Sequence, residues 1–394
     1  MKQLIVAASL IILPLGAAAQ GVAQGEPNAD FAPAFENQTR APALPATPVS
    51  TEVFVDGLSH PWGIATMPGG GWLVTERPGR MRVITPDGRM SIPVSGLPEV
   101  DDRRQGGLLD VAVSPDFATD RTVFWTYAKR VPGGTVTAAA RGVISADFTM
   151  MTEVADIFVQ EPPSRHPMHY GSRILPQPDG TVWITTGEHS AADERGRAQE
   201  IGTTYGKVIR VTRDGDPVPG NPYIGQDGID TIWSLGHRNM QGAAVDPESG
   251  ALWTVEHGPR GGDELNRPVA GGNYGWPVVS YGIEYRGSDV GSGQARAPGF
   301  EEPVYYWDPV IAPGGMIFHS GAAFEGWGGD ILIGSLNPGG LVRLKLDGDR
   351  VTGEERLVPE LGRVRDVEEM ADGSLLLLID APEPFGEIVR VMPR

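Results

Sequence analysis

Six times along this chain an apolar run, a tight polar turn and a second apolar run follow one another. Usually a third run comes after. The first copy reads PWGIATMPGGGWLVT, from Pro61 to Thr75. The others span Gly106 to Tyr127, Gly171 to Gly187, Gln241 to Glu256, Met316 to Gly334 and Val367 to Asp380. Their turns carry Pro115-Asp116, Pro178-Asp179-Gly180, Pro247-Glu248-Ser249-Gly250 and Asp372-Gly373; the fifth copy lacks the proline. Short apolar runs bounded by such residues read as strands joined by turns. A supersecondary unit repeated in this way predicts an all-β protein, a six-bladed β-propeller. The last strand, Gly386 to Met392, is expected to close the ring against the first blade. Helix-compatible stretches such as Ala191 to Ile201 sit between strands. Long insertions fall between the third and fourth copies and between the fourth and fifth, where they build the walls of a site.

The register of the repeat gathers polar residues. His60 lies eight residues before its turn proline, Gln105 ten, His169 nine and Arg238 nine, and Arg363 and Arg365 hold the same place before Asp372-Gly373. Strands rise about 3.3 Å per residue, so these residues share one end of their blades. If their strands are innermost, they ring the mouth of the central channel. Polar residues also populate ordinary loops, but this set is rich in His, Arg and Gln rather than Ser, Gly and Asp.

Composition narrows the classes. Lys2, the apolar run Leu4 to Leu15 and Ala17-Ala18-Ala19 before Gln20 form a signal peptide, residues 1–19, cleaved after Ala19. Export to a periplasm or the exterior follows, without membrane insertion, because the run is too short to span a bilayer. Residues 20–50, rich in Pro, Ala, Asn and Gln, are expected to be a flexible leader, and 51–394 the propeller. With no cysteine, an exported chain has neither disulfides nor a thiolate site. The net charge of −18 argues against nucleic acid as a partner and favours a monomer. In so acidic a chain, Arg238, Arg363 and Arg365 suggest a local site for an anion, although Asp366 is at hand to pair with them.

The densest stretch is residues 233–276. There His257-Gly258-Pro259-Arg260-Gly261-Gly262-Asp263-Glu264 forms a glycine-rich acidic turn. Glycines let carbonyls approach a ligand, and carbonyls beside carboxylates suit a hard cation such as calcium; an ordinary loop with solvated acids is the alternative.

In order along the chain, RQGGLLD, HYGSRI, GHRNMQG, EHGPRGGDELN, GGNYGWP and GRVRDV resemble the soluble quinoprotein aldose (glucose-type) sugar dehydrogenases, which use pyrroloquinoline quinone (PQQ) and calcium. The resemblance runs from about Gly57 to Val391. It implies a six-bladed propeller that oxidises the C1 hydroxyl of an aldose to a lactone and passes electrons to a soluble or membrane-bound acceptor. It makes His169 the catalytic base and puts Gln105 beside quinone and substrate. Arg238 and Asn239 fall near the quinone carbonyls, and Arg363 and Arg365 on the cofactor carboxylates. The Gly258 and Pro259 carbonyls match ligands of the cofactor's calcium, Glu264 and Tyr274 a second calcium, and Tyr285 an aromatic near the cofactor plane. Two positions depart from the family pattern. Asn337 stands where a cofactor-binding lysine is common, and Glu188 where an aspartate adjoins the catalytic histidine. Six-bladed propellers also host calcium-dependent lactonases and other hydrolases, as well as non-enzymatic binding modules. The aldose preferred depends on the loops near residues 281–311.

Overall fold

The structure, a computed structural model, describes residues 22–394; the expected signal peptide lies outside them. Twenty-three strands form six antiparallel sheets, five of four strands and one of three. Each sheet begins, at one edge, with the strand expected to be innermost: Pro61–Thr66, Leu108–Val113, Gly171–Pro176, Met240–Val245, Pro313–Phe318 and Val364–Glu369. Each of these strands touches the corresponding strand of the blades before and after it, and the sixth touches the first. The sheets are therefore the blades of a closed six-bladed propeller. Turn glycines with positive φ, such as Gly180 at 85° and Gly373 at 80°, supply the left-handed residue the hairpins need. The fifth copy is looser because residues 319–330 replace the tight turn; Phe324 and Trp327 of that loop stack at 4.2 Å.

Blades are covered on both faces, so strands such as Leu375–Ile379, LLLLI, are apolar throughout rather than alternating. A separate apolar core fills each blade junction. Leu73, Trp125 and Met151 lie between the first and second blades, and Trp253, Trp307 and Ile333 between the fourth and fifth. At the junction of sixth and first, Val55, Leu376 and Ile388 meet Ile64 and Trp72.

Ring closure differs from the sequence expectation. Gly386–Pro393 is the third strand of the sixth blade. The fourth is Val49–Leu58, from before the first repeat, paired antiparallel with it from Val49 opposite Pro393 to Leu58 opposite Gly386. Residues 22–48 do not behave as a free leader either. They run along the outer edges of the fourth and fifth blades, held by Gln38 Nε2 to Pro303 O (3.0 Å), Ala41 N to Tyr305 Oη (3.0 Å) and Leu44 N to Glu354 O (2.9 Å). Exposed strand edges invite pairing with other chains; this strap covers two of them. No helix of the described residues is long and apolar enough to cross a membrane.

On the axis, Arg173 of the third blade ties together the second, fourth and sixth. Its Nη1 lies 2.9 Å from Asp110 Oδ1 and 3.1 Å from Asp366 Oδ2, and its Nε donates to Gln241 O (2.6 Å). Asp366 also accepts from Ile64 N (3.1 Å), and a Cβ on Gly315 would fall 1.6 Å from its Oδ1. Burial pushes both carboxyls above the usual range, with Arg173 opposing it. The hub separates two cavities, one at each end of the channel.

At the end away from the strand starts, burial drives the Glu368 carboxyl up to about 7. A raised folded value contributes stability fully below the unfolded value of about 4.3, and that contribution is lost as pH rises through about 7. Glu368→Gln is therefore expected to gain melting temperature relative to the native chain on going from pH 5 to pH 8. Parallel melting curves at the two pH values would refute this if they ran in step.

Candidate active site

The starts of the inner strands surround one cavity of about 270 Å³, although His60, His169 and Arg238 are not among its lining residues. It is lined by Gln105, Asn239, Arg363 and Arg365, and also by Trp62, Arg77, Gln241, His257 and Asp380. Two residues that enter inner strands, His60 and His169, have φ of 45° and 46°, a left-handed conformation uncommon for a side chain with a Cβ. This backbone folds polar residues inward over the strand ends.

His169 is 5% exposed at the rim. Its backbone N–H donates to Gln105 Oε1 at 2.8 Å, and its Nδ1 is 3.2 Å from Glu188 Oε1. A carboxylate can only accept, so Nδ1 carries the proton and Nε2 keeps a lone pair. Burial pulls the imidazole below its ordinary value, Glu188 raises it and Arg238 lowers it again. The ring is thus neutral at physiological pH and able to take a proton. Burial alone would raise Glu188, but His169 and Arg238 outweigh it and hold it ionised. The extra methylene of glutamate over aspartate does not stop this carboxylate from reaching the imidazole.

Arg238 is buried and shaped from several sides. Its Nη1 donates to His257 O (3.0 Å), its guanidinium lies 5.0 Å from the Trp276 ring centroid, and its Nε is buried with no hydrogen-bond partner among the described residues. Asn239 accepts from Gly171 N (3.1 Å) and Gln241 Nε2 (3.2 Å) through Oδ1, which leaves its NH₂ as a donor.

Across the cavity, Asp380 gathers His60 Nδ1 (2.9 Å), Arg363 Nη2 (3.2 Å) and Arg365 Nη2 (3.1 Å). Burial would raise this carboxyl; Arg365, His60 and Arg363 overcome it and keep it well below the usual range. Arg365 Nη1 also donates to Gln241 Oε1 (2.9 Å), while its Nε is buried without a hydrogen-bond partner among the described residues. Arg77, Arg363 and Arg365 against one lining carboxylate leave the cavity net positive, in a chain of net charge −18. Such a cavity suits a polyanion.

Beside it, the turn after the strand Leu252–Glu256 presents the carbonyls of Gly258 and Pro259, neither of which accepts a hydrogen bond from another described residue. A pocket of about 20 Å³, room for one ion or water, lies between Gly258, Gly262, Glu264, Tyr274 and Ser280. Burial, and then Glu256, push the Glu264 carboxyl well above its usual range, a strain that a divalent cation would relieve. Tyr274 lines this pocket, but its hydroxyl donates to Arg267 O (2.6 Å) and accepts from Val269 N (3.1 Å), so it offers no side-chain ligand.

Four of the expected site residues are absent from the cavity lining: His169 and Arg238, which stand beside it, and Asn337 and Tyr285. Asn337 is exposed, its neighbour Leu336 forming the wall instead. Tyr285 is 68% exposed and reaches the site only through Arg238 Nη2, at 3.4 Å from its hydroxyl. Both sit on loops whose course the repeat does not set. Counting from strand starts passed over Asp380, which follows the end of the second strand Leu375–Ile379, although that strand returns to the same rim. Trp62 and Gln241 lie inside their strands Pro61–Thr66 and Met240–Val245, also on the lining.

The family model described as glucose/sorbosone dehydrogenase matches residues 58–390. The chain belongs to this family. It is a sugar dehydrogenase. It is 39% identical to the aldose sugar dehydrogenase YliI of Escherichia coli (strain K12), over 89% of this chain and 95% of that one. A crystal structure of a glucose dehydrogenase superposes with TM-score 0.83 at 41% identity, covering 86% of this chain and 99% of the other. The PQQ-bound form of an aldose sugar dehydrogenase from Streptomyces coelicolor superposes with TM-score 0.73 at 28% identity, covering 89% and 100%.

Proposed function

We propose that this sugar dehydrogenase is exported, holds PQQ and calcium, and oxidises the C1 hydroxyl of aldoses to lactones. The observation that carries the reading is the carboxylate-held His169 beside an arginine-rich cavity, with two unpartnered carbonyls alongside. In support, Arg363 and Arg365 have guanidinium forks suited to cofactor carboxylates, and Asn239 has a free amide donor for a quinone oxygen. The carbonyls of Gly258 and Pro259 are hard-cation ligands, and Glu264 is the carboxylate with capacity for a second ion. PQQ, when bound with calcium, supplies an electrophilic acceptor for the hydride on the sugar's C1.

The chain's own groups do the rest. His169 Nε2 takes the proton of the anomeric hydroxyl as C1–H breaks and the C1=O bond forms. Glu188 holds the ring by Nδ1 and stabilises the imidazolium that results. Arg238 places positive charge where oxyanion character develops. Gln105, fixed through the His169 backbone, offers its NH₂ to a sugar hydroxyl. Asn337 contributes no cation; Arg77 on the cavity wall keeps the lining positive.

Reconstitution is the test. Purified protein with PQQ and calcium should reduce an artificial dye when glucose or another aldose is added, and do nothing without PQQ. Lactone hydrolysis without PQQ would instead make it a hydrolase. Chelator should abolish dye reduction and lower the melting temperature, and added calcium should restore both, since a ligand of the native state alone stabilises by RT ln(1 + [L]/Kd). An unchanged melting temperature in excess chelator would remove both cation sites from the account.

A further inference from the structure

The carbonyl pair of Gly258 and Pro259 stands on a loop with little intrinsic order. Three of its five residues are glycine and one is proline. The glycines are needed because the loop is pressed against its surroundings. A Cβ on Gly261 would lie 2.4 Å from Asp308 Oδ1, and one on Gly262 would lie 2.5 Å from Gly282 N. Residues of such low side-chain bulk do not hold a loop in place by themselves. Five hydrogen bonds do: Gly258 N to Asp263 Oδ1 (2.8 Å), Arg260 N to Ile283 O and Ile283 N to Arg260 O (both 3.0 Å), Gly262 N to Trp307 O (2.8 Å) and Arg260 Nε to Asn28 Oδ1 (2.8 Å).

The last of these comes from the N-terminal strap. Asn28 is in turn fixed by Asp308, which is 4% exposed. Its Oδ2 accepts from Asn28 N (2.8 Å) and Ala29 N (3.0 Å), and its Oδ1 from Asn28 Nδ2 (2.6 Å). No cation pairs with this carboxylate among the described residues, so strap N–H groups carry its charge. The same carboxylate is the surface against which Gly261 packs. Arg40 completes the joint, with Nη2 donating to both Gly25 O and Asp308 O at 2.8 Å. The side chain of Asn28 therefore bridges Asp308 beneath the loop and Arg260, the residue next to Pro259.

We propose that Asn28 is a positioning residue for the cation site: the strap clamps the loop so that the Gly258 and Pro259 carbonyls converge on one ion. The proposal rests on the calcium reading above. Partners just outside a metal's ligands usually alter affinity 10–100-fold when removed. Asn28→Ala is expected to raise the calcium Kd by about that factor, measured calorimetrically by titrating calcium chloride into metal-free protein in the presence of PQQ. Gln24→Ala serves as control. It also removes a strap bond, Nε2 to Glu354 Oε2 (2.8 Å), but one made to the fifth blade, with no hydrogen bond from the Gln24 side chain to the loop or to Asp308. It should leave the calcium Kd unchanged. Arg260→Ala, which removes the other end of the bridge, should weaken calcium as Asn28→Ala does. Native-like calcium affinity in Asn28→Ala would overturn the proposal, as would equal weakening in Gln24→Ala, which would make the strap a general stabiliser. If the native protein itself takes up no calcium, the calcium reading fails and this proposal with it.

Discussion

Replacement of His169 by glutamine is expected to cut aldose oxidation about 10²–10⁴-fold, the usual share of a general base, while PQQ binds as before. Glutamine keeps the approximate length and a polar end but has no basic nitrogen. The loss should appear in the maximal rate of quinone reduction rather than in cofactor affinity, because the cationic lining is formed by Arg77, Arg363 and Arg365. Arg238→Ala should also slow reduction, but with a changed absorbance of the bound cofactor. The pH profile separates His169 from a mere spacer. Burial holds the imidazole below its ordinary value, so the acid limb should fall below the usual histidine range. Glu188 raises that value, so Glu188→Gln should move the limb to still lower pH, along with a loss of rate. A histidine variant with native rates at every pH would exclude His169 as the base.

Arg173→Met is expected to be the most destabilising single change in the central channel. It leaves Asp110 and Asp366, both about 5% exposed, facing each other without their counter-ion. Removing one partner from a buried ionic cluster typically costs about 3–5 kcal/mol, and here the lost bonds also tie together the inner strands of several blades. Both carboxyls are already raised by burial; without Arg173 they rise further. Their contribution to stability is then present at low pH and lost as pH climbs, so the deficit of the variant should shrink on acidification. Adding Asp110→Asn and Asp366→Asn should recover part of it. Denaturant midpoints at pH 5 and 8 measure all three variants. A deficit below about 1 kcal/mol, or one independent of pH, would mean that the hub is ornamental to stability.

Five of the six inner strands were legible because each carries its own turn signal, and the rim residues followed from counting back from those turns; the fifth, followed by the loop 319–330, showed only its apolar run. What escaped had no local signature. The strand Val49–Leu58 pairs with Gly386–Pro393, more than three hundred residues away, so no adjacent turn announces it. Residues 22–48 have the composition of an unstructured leader. They are ordered by single hydrogen bonds from Asn28, Gln38, Ala41 and Leu44 to blade edges, a pattern without periodicity. In the site, Gln105, Arg363 and Arg365 follow from the repeat and line the cavity; His169 and Arg238 follow from it too but stand beside the lining, and Asn239, which lines it, came from likeness to other chains. Tyr285 and Asn337 were placed by likeness to other chains, and lie on loops outside the cavity lining. Tyr274 lines the small pocket beside Glu264, and what the sequence did not reveal is that Arg267 O and Val269 N occupy its hydroxyl, which leaves its backbone carbonyl.

The most direct test is a single turnover. Metal-free protein is loaded with calcium and PQQ, mixed rapidly with excess glucose or xylose, and followed at the quinone's absorbance, with C1-deuterated sugar in parallel. The account predicts that the oxidised cofactor is consumed in one phase, that deuterium at C1 slows it, and that lactone appears in equal amount. A cofactor that binds in the cavity yet stays oxidised with every aldose tried would contradict it.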